Sequence, residues 1–98
     1  MVMIFEYEGL KIGVDICLDH SRQRLVKHLY KHPEDYVDLQ IVTSCSMSVR
    51  SSSVIAKTGG IVFNCDGEYE LGDTSLGVDG KCCHTSLQRI MMYNQMLN

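Results

Sequence analysis

The sequence predicts a small single-domain α/β protein built on one mixed sheet, with its helices mainly on one face. Three observations carry this. Ile12, Val14 and Ile16 alternate with Lys11, Gly13 and Asp15, the period-two pattern of a strand. Residues 22–31 change to a helical period, with Leu25, Val26, Leu29 and Tyr30 on one side and Arg22, Arg24, Lys27, His28 and Lys31 on the other. Residues 37–43 then return to a β-rich run, so strand, helix and strand follow at βαβ spacing and the two strands should be parallel.

The remaining elements follow in order. Residues 2–7 are rich in β-formers, and Glu8-Gly9 reads as a tight turn, which makes 2–7 and 11–17 an antiparallel hairpin. Asp19 or Ser21 is placed to cap the helix, and Pro33 to end it. Residues 49–58 are short and Ser-rich and read as a helical segment, stopped by Gly59-Gly60, with a strand at 61–65. Asp66-Gly67 signals a hairpin whose return strand is 68–71, and Asp79-Gly80 a second turn. Thr85 and Gln88 fit a capping box, which predicts a last helix over 86–97, unusually apolar with Leu87, Ile90, Met91, Met92, Met96 and Leu97.

Composition excludes several classes. The chain has 98 residues, a formal net charge of −3 and 21% charged residues, so it lacks the basic footprint of a nucleic-acid binder. No apolar run approaches the roughly 20 residues of a membrane span, and the first residues do not form a signal peptide, so no membrane association is expected. Five cysteines, an odd number, argue for free thiols in a reducing compartment, and a cytoplasmic location is the expectation.

The chemistry-bearing residues gather near strand ends. Cys17 lies where the strand 11–17 runs toward the helix, with His20 three residues on as a possible partner; these two are the candidate catalytic residues. Ser44, Cys45 and Ser46 follow the parallel strand and should share that sheet end, where open α/β sheets bind ligands, so they are candidate ligand-binding residues. Cys17-x-x-His20 and Cys82-Cys83-His84 do not supply the closely spaced cysteine pair of a structural zinc site. His28 and His32 are four residues apart on one helix face, but between Lys27 and Lys31 they read as part of a solvated basic surface. No metal and no cofactor is expected.

Gly-Leu-Lys-Ile-Gly-Val-Asp-Ile-Cys-Leu-Asp-His (9–20) resembles the nucleophile segment of the nitrilase, or carbon–nitrogen hydrolase, superfamily. An Arg-rich helix, an apolar strand with Asp38, a Ser-containing loop and a strand ending in Asn64 follow in the family's order, so the resemblance spans about residues 4–80. It implies that residues 1–98 form one α/β domain equivalent to the C-terminal half of a nitrilase domain, with Cys17 at the nucleophile position. The family's catalytic glutamate and lysine lie well upstream of the cysteine and match no residue here, and Leu18 stands where an aromatic is usual. The expectation is therefore a noncatalytic nitrilase-like protein. The alternative is a Cys17-dependent amide or nitrile hydrolase completed by a dimer mate or another chain. Strands 11–17 and 37–43 are apolar enough to need cover on both faces. Ile12, Val14, Ile16, Leu39 and Ile41, or their alternates, would lie opposite the helices. This points to a homodimer pairing as an αββα sandwich, or to a partner protein on the same face.

Overall fold

The computed structural model describes residues 3–44, 48–66, 86–92 and 95–96. Its centre is a single mixed sheet of five strands: β1 (Met3–Tyr7), β2 (Leu10–Ile16), β3 (Val37–Ser44), β4 (Ala56–Asp66) and β5 (Ser86–Met92). A two-residue β6 (Gln95–Met96) pairs onto β5, and strand order in space equals order in the chain. β1 is antiparallel to β2, β2–β3 and β3–β4 are parallel, and β4–β5 is antiparallel. The β1–β2 turn has φ of 52° at Glu8 and 81° at Gly9, the double positive pair of a tight two-residue hairpin.

Two short helices stand where one was expected. α1 (Leu18–Ser21) begins directly after Cys17, and α2 (Arg24–Leu29) follows a break at Gln23, whose φ of 59° and ψ of 40° lie in the left-handed region. Neither helix has a side-chain cap, so Asp19 and Ser21 do not act as expected. Leu25 and Leu29 are buried and Val26 packs against the core, whereas Tyr30, placed on the apolar side by periodicity, is exposed. Pro33 opens a 3₁₀ turn (Pro33–Asp35), and His32 before it leaves the helical region at φ −133°, as a residue preceding proline tends to.

The largest correction concerns the C-terminal segment. Residues 86–92 form β5, not a helix. Ile90 is buried while its neighbours Arg89 and Met91 are exposed, the alternation of a strand. Apolar residues lie on both faces of β5, so its sequence carries no clean period-two signal. Gly59-Gly60 also does not stop an element: both lie inside β4, beside the register shift between Val37 and Leu39. The Ser-rich segment contributes only a 3₁₀ turn, Ser51–Ser53. The expected return strand 68–71, the Asp79-Gly80 turn, Thr85 of the capping box and Cys82-Cys83-His84 lie outside the described residues.

The helices cover one sheet face. A Cβ built on Gly13 would lie 3.2 Å from Val37 Cγ1 and 3.4 Å from both Ile55 Cδ1 and Leu25 Cδ1, so Gly13 points at the core beneath α2. The core comprises Leu25, Leu29, Val37, Val42, Val54, Ile55, Ala56, Val62 and Ile90. By register, the row Ile4–Gly13–Gln40–Val62–Gln88 faces it. The next row, Met3–Val14–Ile41–Phe63–Leu87, therefore faces away from the helices.

Two carboxylates staple the amino ends of the parallel strands. Asp38 Oδ2 accepts the Lys11 backbone N–H at 2.8 Å, and its Oδ1 lies 2.7 Å from Lys57 Nζ. Asp35 Oδ2 is 2.8 Å from His28 Nε2, and its Oδ1 accepts from Lys11 Nζ at 3.0 Å. The hydrogen bond from His28, then that from Lys11, holds the Asp35 carboxyl below its ordinary 3.8; Lys57, then the Lys11 amide, does so for Asp38. Folded-state values below the unfolded one mean that this contribution is full above pH about 4 and disappears as pH falls through the folded values. Solvent screens these groups, so the effect is modest. Asp35→Asn should flatten the fall in stability below about pH 4, followed by circular dichroism and urea unfolding; an unchanged acid limb would show that Asp35 contributes nothing there.

Candidate functional site

The parallel strands bring their carboxyl ends together. Cys17 follows β2, Ser44 ends β3 and Asp66 ends β4, with Thr43 paired to both Ile16 and Cys65. The Cys17 backbone N–H donates to the Thr43 carbonyl, fastening the start of α1 to the end of β3. Cys17 is half-buried and has φ 46° and ψ −106°, a backbone conformation that non-glycine residues rarely adopt. Sequence reasoning placed the thiol at a strand-to-helix junction, and the structure has it there.

His20 occupies a different environment from the one expected of a thiol's partner. It is fully buried, and both ring nitrogens are engaged. The Arg50 backbone N–H donates to Nε2 at 3.0 Å, which assigns the ring proton to Nδ1. Nδ1 then donates to Asp15 Oδ2 at 2.8 Å. In this arrangement neither nitrogen is left to take a proton from Cys17. His20 ties the loop before the Ser51–Ser53 turn to β2.

Gln40 extends this cluster. Its Nε2 donates to Asp15 Oδ2 at 2.8 Å and to the Ser53 carbonyl at 3.0 Å, while its Oε1 accepts the Ile55 N–H at 2.7 Å. One side chain in the middle of β3 thus satisfies the backbone on both sides of Val54 and donates one hydrogen bond to a buried carboxylate. At the far end, Ser44 Oγ donates to Asn64 Oδ1 at 2.9 Å, with both residues buried. Asp66 is buried beside them in register with Ser44. Of the expected ligand-binding residues, Ser44 therefore belongs to the packed interior, while Cys45 and Ser46 lie outside the described residues.

Sequence reasoning gave Asp15 and Gln40 no role, and read Asn64 only as a strand end in the family order and Asp66 only as part of a turn. Asp15 was placed by alternation on the face opposite Ile12, Val14 and Ile16. The cluster can fix the crossover segments and hold Cys17 in its strained conformation. Within it Asp15 and His20 bond each other, the Gln40 amide and the Arg50 backbone N–H. No helix among the described residues is long and apolar enough to cross a membrane. Comparison of the chain with protein-family models, with curated proteins and with solved structures yields no match in any of the three.

Proposed function

We propose that the protein is a noncatalytic, nitrilase-like α/β protein that acts as a homodimeric binding or interaction protein, its two sheets stacked through their helix-free faces. The observation that carries this is the row Met3–Val14–Ile41–Phe63–Leu87, five apolar residues across five strands on the face opposite the helices. The adjacent row, Phe5–Ile12–Leu39–Ile61–Arg89, holds one charge. Met3, Phe5, Tyr7, Leu10, Ile16, Leu87 and Met91 on this face are all exposed, and they account for most of the large exposed apolar side chains described. Contiguous apolar patches of this kind mark contact surfaces.

Size favours a second copy as the occupant. Five strands about 4.8 Å apart make a face roughly 20–24 Å across. With side-chain relief, that approaches the ~800 Å² per partner of a standard interface. Two such sheets stack about 10 Å apart with strands nearly aligned. Sedimentation velocity at micromolar concentration should give a dimer. Ile41→Lys, at the centre of the open face, should give a folded monomer with unchanged circular dichroism. A monomeric wild type would overturn the proposal, and a dimer that survives Ile41→Lys would move the interface elsewhere.

One observation favours a second reading, the hydrolase completed by another chain: the strained backbone of Cys17 at the carboxyl end of the sheet. For the noncatalytic reading, mass spectrometry should find Cys17 alkylated by iodoacetamide at neutral pH no faster than free cysteine. Alkylation tenfold faster, together with amide hydrolysis lost in Cys17→Ala, would establish the enzyme.

A further inference from the structure

A second cluster lies away from the carboxyl ends of the strands, at the junction of α2 and the Pro33–Asp35 turn. His28 and His32 stack with ring centroids 4.5 Å apart and planes inclined by 22°. The chain then bends at Pro33 and brings Asp35 back, so that Asp35 Oδ2 sits 2.8 Å from His28 Nε2. One donor atom from each of His28, His32 and Asp35 lies within 4.8 Å of the others. Sequence spacing showed only the two histidines among lysines. The turn at Pro33 supplies the carboxylate that spacing could not place.

We infer that His28, His32 and Asp35 form a binding site for a divalent transition-metal ion, of which zinc is the best match. Two imidazoles and one carboxylate are the donor set of open zinc sites, which leave a fourth position for water or another ligand. Bond lengths of about 2.0–2.2 Å to a tetrahedral ion require donor separations near 3.3 Å. The His28–Asp35 separation is 2.8 Å and the others are at most 4.8 Å, so the ion requires only small shifts of these side chains. Lys11 Nζ occupies Asp35 Oδ1 at 3.0 Å and orients the carboxylate, leaving Oδ2 toward the histidines. Glu34, exposed and with Oε2 3.6 Å from His32 Nδ1, is within reach as a fourth ligand. The ion would displace the proton now shared between His28 and Asp35. Lys11, and the cationic side chains of Arg22, Arg24, Lys27 and Lys31 along the neighbouring groove with His28, oppose a dication. Affinity is accordingly expected in the micromolar rather than the nanomolar range.

Isothermal titration with zinc chloride tests this on the intact chain, with cobalt(II) absorption to identify the donors. The expected result is one zinc per chain, weakened at least tenfold in each of His28→Gln, His32→Ala and Asp35→Asn, and a cobalt spectrum without thiolate charge transfer. His32 is exposed, so His32→Ala leaves the fold intact and reads the site alone. No zinc binding at hundredfold excess would overturn the inference. So would binding that all three substitutions leave unchanged, or a cobalt spectrum dominated by thiolate charge transfer, which would assign the ion to cysteines.

Discussion

Gln40→Leu should remove about 3–5 kcal/mol of stability, the largest loss expected from a single side chain in this fold. Leucine fills a similar volume but satisfies none of the three partners. The Ile55 N–H loses its only described acceptor, with Ile55 fully buried, and an orphaned buried donor costs about 1–3 kcal/mol. Asp15 Oδ2 retains His20 but loses the Gln40 amide, and hydrogen bonds to charged groups are worth about 1.5–3 kcal/mol. A domain of this size has about 5–15 kcal/mol in total, so the variant should melt some 15–30 °C lower. Gln40→Glu provides the contrast. It keeps an acceptor for Ile55 but sets a second carboxylate against Asp15, and should be no more stable than the leucine variant. Thermal and urea unfolding check both; a loss under 1 kcal/mol for Gln40→Leu would mean that water or a rearranged crossover takes over the bonds.

Gly60→Ala is the second. A Cβ at Gly60 would lie 2.8 Å from the Asp38 carbonyl oxygen and 2.9 Å from that of Lys57. Both obstacles are backbone, so neither can turn aside as a side-chain tip would. The register shift between Val37 and Leu39 would have to open, in the strand pair that carries Asp38 and its bonds to Lys11 and Lys57. Overpacking of this type costs about 1–3 kcal/mol, and the upper end is expected here. Gly59→Ala distinguishes steric from conformational causes. Nothing lies within 4 Å of a Cβ there, but φ is 86°, so its cost should be that of a left-handed alanine, about 1–2 kcal/mol. Equal stability of Gly60→Ala and wild type would show that β4 relaxes around the bulge without loss.

The parts of the fold legible in the sequence are those where one face of an element differs from the other. β1 is rich in β-formers, β2 alternates, the two are joined by Glu8-Gly9, and β3 follows a helix ended near Pro33, so their pairing directions could be read directly. β5 could not. Leu87 and Met91 lie on the open face and Ile90 on the covered one, which erases the alternation and leaves a run that fits a buried helix equally well. β4 was read six residues too short, five of them at its start, because its first half passes through the Gly59-Gly60 irregularity, whose shape depends on Asp38 and Lys57 rather than on local propensity. In the site, Cys17 was visible because its position follows from strand and helix boundaries. The bonds of Asp15 and His20 to Gln40 and Arg50 link residues 25 and 30 positions apart, respectively, which no local pattern records. The same holds for Asp35, which reaches His28 only because the chain doubles back.

The strand order has a consequence for how the molecule is made. Since each strand pairs with the one before it in the chain, every new strand finds its template already present as synthesis proceeds. Among the described strands none must wait for a later one to insert between it and its neighbour. The βαβ crossover is the longest loop that must close before β3 can add, and α1 and α2 shorten it by taking up residues locally. The sheet can therefore grow by accretion from the hairpin outward, with its apolar face enlarging one strand at a time. That face reaches its full width only once β4 and β5 are in place, so in the proposed dimer folding of the subunit would precede its association.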